Sequence, residues 1–191
     1  MKRSWEQSIA EHEQVIAALR EQAAVIDAMS TLLIEALRDG RRVLIFGNGG
    51  SAADAQHIAA EMTGRFKINR RALPAIALTT DTSALTAIGN DFGFEQVFSR
   101  QVEALCAAGD VAWAISTSGN SPNVIAGIEA ARARGARVIG FTGRNGGRMR
   151  PLCDHVFCVP HEQSDRIQEG HILAYHYLCE RVELAFAATG A

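Results

Sequence analysis

The chain has 191 residues, 48% of them hydrophobic, which is enough to bury one sizeable core and favours a single domain, 1–191. Its formal charge of -2 comes from interspersed acids and bases, so it carries no electrostatic footprint for nucleic acid or an anionic membrane. No apolar stretch approaches the roughly 20 residues of a bilayer span, and Met1-Lys2-Arg3-Ser4-Trp5-Glu6 opens a charged amphipathic pattern rather than a secretory leader, so the expected location is the cytoplasm.

Trp5, Ile9, His12, Ile16, Leu19, Ala23, Ile26 and later Leu33 recur at steps of three and four, lining one face of a long helix or helix pair. A stripe of this length ahead of the first strand could pack on its own domain, but it also suits pairing between subunits, which is the favoured reading. Residues 1–38 are therefore expected to form a helical oligomerisation arm, and 39–191 an α/β core. After Gly40, apolar runs at 43–46, 75–78, 111–115, 138–141 and 156–159 alternate with helical patterns at 51–66, 94–107 and 121–134, the last stopped by Gly135. That alternation predicts right-handed crossovers and a parallel sheet covered on both faces, with ligands beyond the carboxyl ends of the strands. Segment 81–93 is polar, and Asn90-Asp91-Phe92-Gly93 marks a turn before the next helix. Residues 164–187 lack proline and read as a long closing helix. Cys106, Cys153, Cys158 and Cys179 lack CxxC spacing and sit among apolar neighbours, which reads as small buried hydrophobes kept reduced.

Two loops carry the first chemical signal. Ser116-Thr117-Ser118-Gly119-Asn120-Ser121 ends the third strand and opens a helix, setting three serine hydroxyls and free helix-start N–H groups around a phosphate-sized space. Gly47-Asn48-Gly49-Gly50-Ser51-Ala52 ends the first strand in the same way. It formally fits a dinucleotide fingerprint, but the position about 20 residues on, where a ribose-binding acid belongs, falls near Phe66-Lys67. Its glycines also suit a plain tight turn. Two such loops together predict one shared pocket for a phosphorylated small molecule.

His57 and Glu61, four residues apart, share a helix face at about 6 Å and suit one metal ion, one substrate or a mild surface pair. On the closing helix Gln168, His171, Tyr175 and His176 form a second polar cluster. Gln168 and His176 are about 12 Å apart along the axis, so they serve one ligand only through long side chains or from separate subunits. His171, three residues from Gln168, is the rival histidine. Arg65, Arg70 and Arg71 read as solvated surface, or as help for an anionic substrate. His12, His155 and His161 have no motif around them.

The segments GNGGSAADAQHIAAEMTGRF, GNDFGFEQVFSRQVEAL, ISTSGNSPNVI and DRIQEGHILAYH occur in this order across most of the chain. In them the sequence closely resembles the phosphoheptose isomerases of the sugar isomerase (SIS) fold family. The resemblance implies a three-layer αβα sandwich with a five-stranded parallel sheet, a homotetramer with active sites between subunits, and one zinc ion per subunit. It implies conversion of sedoheptulose 7-phosphate to D-glycero-D-manno-heptose 7-phosphate, the opening step of ADP-heptose synthesis for lipopolysaccharide. Residue by residue, it places the substrate phosphate among Ser51, Ser116, Ser118 and Ser121. Asn48, Gly49, Gly50, Asn90, Asp91, Thr117 and Gln168 would line the sugar, with Asp165 at another pocket position. It makes His57, Glu61, Gln168 and His176 the zinc ligands, which selects His176 over His171. The aldose–ketose chemistry needs a base and an acid, which would be Glu61 and His176. Two alternatives stand beside this reading. One is a non-catalytic tetramer of the same fold that binds the replication initiator, and the other an isomerase of a different sugar phosphate. The intact His57/Glu61 and Gln168/His176 pairs favour the enzyme over the scaffold.

Overall fold

A computed structural model describes residues 3–187; Met1, Lys2 and residues 188–191 of the expected 1–191 span lie outside the described residues. The five apolar runs form five parallel strands, β1 (Val43–Gly47), β2 (Ala75–Ala77), β3 (Val111–Ser116), β4 (Arg137–Gly143) and β5 (His155–Val159), in the order β2-β1-β3-β4-β5. The helices are α1 (Trp5–Ala18), α2 (Ala23–Arg38), α3 (Gly50–Thr63), α4 (Thr82–Asp91), α5 (Ser99–Leu105), α6 (Pro122–Ala133) and α7 (Ser164–Ala187).

Successive strand residues point to opposite faces, and here both faces are dry. Val43, Ile45, Val111, Trp113 and Ile115 pack with α1, α2, α3 and α7, while Leu44, Phe46, Ala112 and Ala114 pack with α5 and α6. The result is the expected αβα sandwich. From the adjacent β1 and β3 the chain leaves in opposite directions across the sheet, so a crevice opens beyond their carboxyl ends. Both polar loops start there.

The N-terminal stripe takes the helix-pair form of the two expected, and three local expectations change. The N-terminal stripe is broken by a 3-10 turn at Leu19–Gln22 into two helices; Val15, Leu19 and Leu33 are buried, but Trp5 stays 74% exposed. The segment read as one helix over 94–107 is a 3-10 turn, Phe94–Gln96, followed by α5. The polar segment 81–93 is mostly helical, because Asp81 Oδ1 accepts the Ala84 N–H at 2.9 Å and caps α4. Finally, the helix expected over 51–66 ends at Thr63.

Arg70 and Glu183 explain that early stop. The Arg70 guanidinium turns back over the end of α3, donating to the carbonyls of Glu61 (2.6 Å), Met62 (2.8 Å) and Gly64 (3.0 Å). It thereby satisfies acceptors that a helix end leaves open. Glu183, from α7, accepts the backbone N–H groups of Phe66, Lys67 and Ile68 at 2.7, 2.7 and 2.9 Å, and lies 3.9 Å from Arg70. Arg70 is thus a buried structural cation rather than solvated surface.

Burial opposes ionisation of Glu183, but the three N–H donors and Arg70 outweigh it and hold the carboxyl below the usual range. A folded-state value below the unfolded one makes this contribution fully present above the ordinary glutamate range. It is lost as pH falls through the folded value. Glu183→Ala should lower the free energy of unfolding by about 3–5 kcal/mol at neutral pH in urea denaturation. The gap to wild type should shrink in acid; a gap that widens there would reverse the assignment.

Candidate functional site

The two loops leave the sheet side by side because β1 and β3 pair in register to their ends, with Gly47 opposite Ile115. A Cβ on Gly47 would stand 2.7 Å from the Ile115 carbonyl oxygen and 2.8 Å from the Ser51 Cβ, so only glycine allows this approach. Gly49 follows with φ +57 and starts α3. Asn48 and Asn123, the latter in the first turn of α6, exchange two amide hydrogen bonds of 2.8 Å and bind one loop to the other. In the second loop Ser116 Oγ lies 2.9 Å from Ser121 Oγ and 3.4 Å from Ser118 Oγ. Three hydroxyls therefore converge at the start of α6, where Ser121 makes no side-chain cap and Pro122 has no N–H to satisfy. Thr117 Oγ1 meets Ser164 Oγ at 3.3 Å, fastening this loop to the start of α7. Ser51 is buried in the first turn of α3. Hydroxyls and two helix N-termini at one edge suit a phosphate.

Helices α3 and α7 lie side by side, with a near-constant spacing in sequence. Gln168 covers Gly50, where any Cβ would collide with its amide. One stage further on, 118 residues again separate partners: the Tyr175 hydroxyl meets His57 Nδ1 at 3.0 Å. At this level His57 Nε2 and Glu61 Oε1 are 3.0 Å apart, and the ligand atoms of His57, Glu61 and His176 all lie within 4.8 Å of one another. A carboxylate only accepts, so the proton in that contact belongs to Nε2, and Nδ1 accepts from Tyr175. The His176 ring stacks on Phe66 at 5.5 Å and meets His57 edge-on at 5.0 Å. Its pKa is lowered, first by burial and then by the neighbouring His57. Two imidazoles and one carboxylate are a donor set that fits a divalent metal with a position left open for substrate.

The remaining expected residues are placed as follows. Gln168 sits at the Gly50 level, about 12 Å along α7 from His176. Asp165 is exposed and ion-paired to Arg3 at 3.0 Å. Asn90 donates to Asp91 at 2.7 Å at the exposed end of α4, and no hydrogen bond joins either to the loops among the described residues. His171 is fully buried, donating through Nε2 to the Thr142 carbonyl at 3.0 Å, and burial pushes its pKa down to about 4. It is a neutral core histidine packed near Phe141 and Phe157.

Sequence reasoning missed Asn123 as the tie between the loops, Phe66 as the wall behind His176, and the buried Asp54 one turn before His57. Only Asn123 had a readable signal, an amide in the first turn after the serine loop. A cleft of about 820 Å³ beside the second loop is lined by Ser118, Asn120, Arg144, Asn145, His161 and Glu162, and one of about 330 Å³ by Asn48, Phe94, Ser121 and Asn123. Neither is lined by His57, Glu61 or His176, whose cluster opens on the chain surface.

Comparison with known proteins agrees with this arrangement. The SIS domain family matches residues 7–143. The phosphoheptose isomerase of Aquifex aeolicus (strain VF5) is 58% identical over 171 residues, covering 90% of each chain. Among solved structures, the phosphoheptose isomerase from Neisseria gonorrhoeae superposes with a TM-score of 0.86 at 47% identity, covering 94% of this chain and 98% of its own. That from Francisella tularensis gives a TM-score of 0.88 at 34% identity, covering 96% and 100%. A parallel sheet with a serine loop and a His/Glu cluster, matched along nearly its whole length at these identities, places the chain in the SIS domain family and, within it, among the phosphoheptose isomerases.

Proposed function

We propose that the protein interconverts sedoheptulose 7-phosphate and D-glycero-D-manno-heptose 7-phosphate, the opening step of ADP-heptose synthesis for lipopolysaccharide. The observation that carries this reading is the His57–Glu61–His176 cluster, because a scaffold of the same fold has no chemical need for it. The phosphate binds among Ser51, Ser116, Ser118 and Ser121, at the N-termini of α3 and α6. Asn48, Gly49, Gly50, Thr117 and Gln168 surround the sugar from those same loops and from the start of α7, with Asn90, Asp91 and Asp165 at its margin.

The reaction moves a proton from C1 of the ketose to C2 through a cis-enediol, while the oxygens exchange protons. Glu61 takes the carbon-bound proton and returns it at the neighbouring carbon. His176, kept neutral by its depressed pKa, holds an N–H for the substrate oxygen. His57, Glu61 and His176 would hold zinc, and because Gln168 stands about 12 Å along α7 from His176, a fourth donor Gln168 would have to come from a neighbouring subunit. When bound, zinc supplies Lewis-acid polarisation of the carbonyl and hydroxyl oxygens. Glu61 is then asked for two duties, donor and base.

Ser51 and Glu61 stand about 15 Å apart along α3, so the phosphate end and the His/Glu end of one chain are separate clusters. Their union across subunits, in a homotetramer assembled partly through the 1–38 arm, accounts for the surface position of His57. One domain, 1–191, then carries half of each shared site. The free thiols of all four cysteines agree with a cytoplasmic setting.

Proton NMR of sedoheptulose 7-phosphate incubated with the zinc-supplied protein should show new aldose anomeric signals; none from a folded, metal-loaded protein would overturn the substrate. Glu61→Gln should keep the fold and lower kcat roughly 10²–10⁴-fold, and near-normal turnover would remove Glu61 as the base. Ser118→Ala should raise KM roughly tenfold or more with kcat little changed, because one charge-assisted hydrogen bond to phosphate is lost. An unchanged KM would take that serine out of the phosphate site.

A further inference from the structure

Tyr175 has no part in the reaction described above, yet its hydroxyl ends on His57 at 3.0 Å while its ring is 1% exposed. A phenylalanine would fill the same volume. A buried hydroxyl is costly unless bonded, so its presence asks for a reason. We propose that Tyr175 is a positioning residue for the metal centre, its hydroxyl fixing the His57 ring through Nδ1 so that Nε2 stays aimed at Glu61 and His176. This inference rests on the reading of His57, Glu61 and His176 as metal donors.

The tautomer of His57 is what makes a hydroxyl the fitting partner. Without a metal, His57 Nε2–H donates to Glu61 and Nδ1 accepts the Tyr175 O–H. An imidazole that gives its Nε2 lone pair to a metal carries its proton on Nδ1 instead. The same contact then runs the other way, with Nδ1–H donating to the phenolic oxygen. A carbonyl or carboxylate serves only the second arrangement, whereas a hydroxyl serves both, so the ring is held before and after loading.

In the loaded state the turned O–H needs an acceptor of its own. Asp54 lies one turn before His57 on α3, buried, and its Oδ2 has no hydrogen-bond partner among the described residues. Its carboxyl is near enough to act electrostatically on Tyr175. Two ring contacts hold the phenol in place: His57 edge-on at 5.4 Å and His176 at 4.7 Å.

The test compares Zn²⁺ affinity in wild type and Tyr175→Phe by competition with a chromophoric chelator, alongside thermal unfolding of both metal-free proteins. Loss of the hydroxyl should weaken zinc binding roughly 10–100-fold, the usual scale for a group that orients a metal-binding histidine. The metal-free melting temperature should change far less than a packing defect would change it. A second readout needs no variant: long-range ¹H–¹⁵N correlation of the wild-type imidazoles should find the His57 proton on Nε2 without zinc and on Nδ1 with it. Equal zinc affinity in the two proteins would overturn the role of Tyr175 alone, whereas a zinc-loaded His57 that keeps its proton on Nε2 would remove His57 as an Nε2 donor and the role of Tyr175 with it. A wild-type protein without zinc affinity would instead remove the metal centre itself, and the role of Tyr175 with it.

Discussion

The site depends on one close approach, the meeting of Gly47 with the carbonyl of Ile115 at the ends of β1 and β3. These neighbouring strands end at the same level, and the chain departs from them toward opposite sides of the sheet. Two strand-to-helix loops therefore open into one crevice, and the reciprocal Asn48–Asn123 amide pair ties them together there. A side chain at residue 47 would push the first loop away from the second. The serine hydroxyls and the helix N-termini would then no longer face a common point.

From that edge, α3 and α7 act as a pair of rails. Gly50 against Gln168, His57 against Tyr175 and the loop after α3 against Glu183 are three stages of one parallel packing. Each stage does something different: the first brings Gln168 onto Gly50 beside the loops, the second gathers His57, Glu61 and His176, and the third stops the helix. Because a helix advances 1.5 Å per residue, the first two stages are separated by about 10 Å. The serine loops and the His57–Glu61–His176 cluster thus stand at different levels of the same helices. The arrangement explains why His57 and Glu61 lie outside the clefts formed by the loops of their own chain.

The electrostatics sort the histidines by environment rather than by sequence. His171 and His176 are five residues apart on one helix, which turns their side chains about 140° from each other. One enters the core between aromatic rings and is neutral; the other faces His57 and Phe66 at the edge of α7. The same helix thus supplies a histidine buried in the core and one that joins the His57–Glu61 cluster. Neither residue type nor spacing tells them apart without knowing where the sheet lies.

Much of the fold was legible because its signals are local. Continuous apolar runs mark strands buried on both faces, serine and glycine after a strand mark a ligand loop, and Gly135 with φ +77 ends α6 where a helix needs a left-handed residue. The i,i+4 spacing of His57 and Glu61 was equally readable. What the sequence did not disclose depends on partners far away in the chain. Helix α4 lacks a buried apolar stripe, so its pattern read as a loop although Asp81 caps it. The stop of α3 at Thr63 requires Arg70 and the distant Glu183, and the Tyr175–His57 contact spans 118 residues. Sequence alone determined the five strands, the serine and glycine loops and the pair on α3, since each is written in neighbouring residues, and the family resemblance already pointed to His176. The tertiary structure decided where α3 stops, which basic residue is structural and what touches His57, since those follow from the side chains that meet when α3 and α7 pack on one face of the sheet.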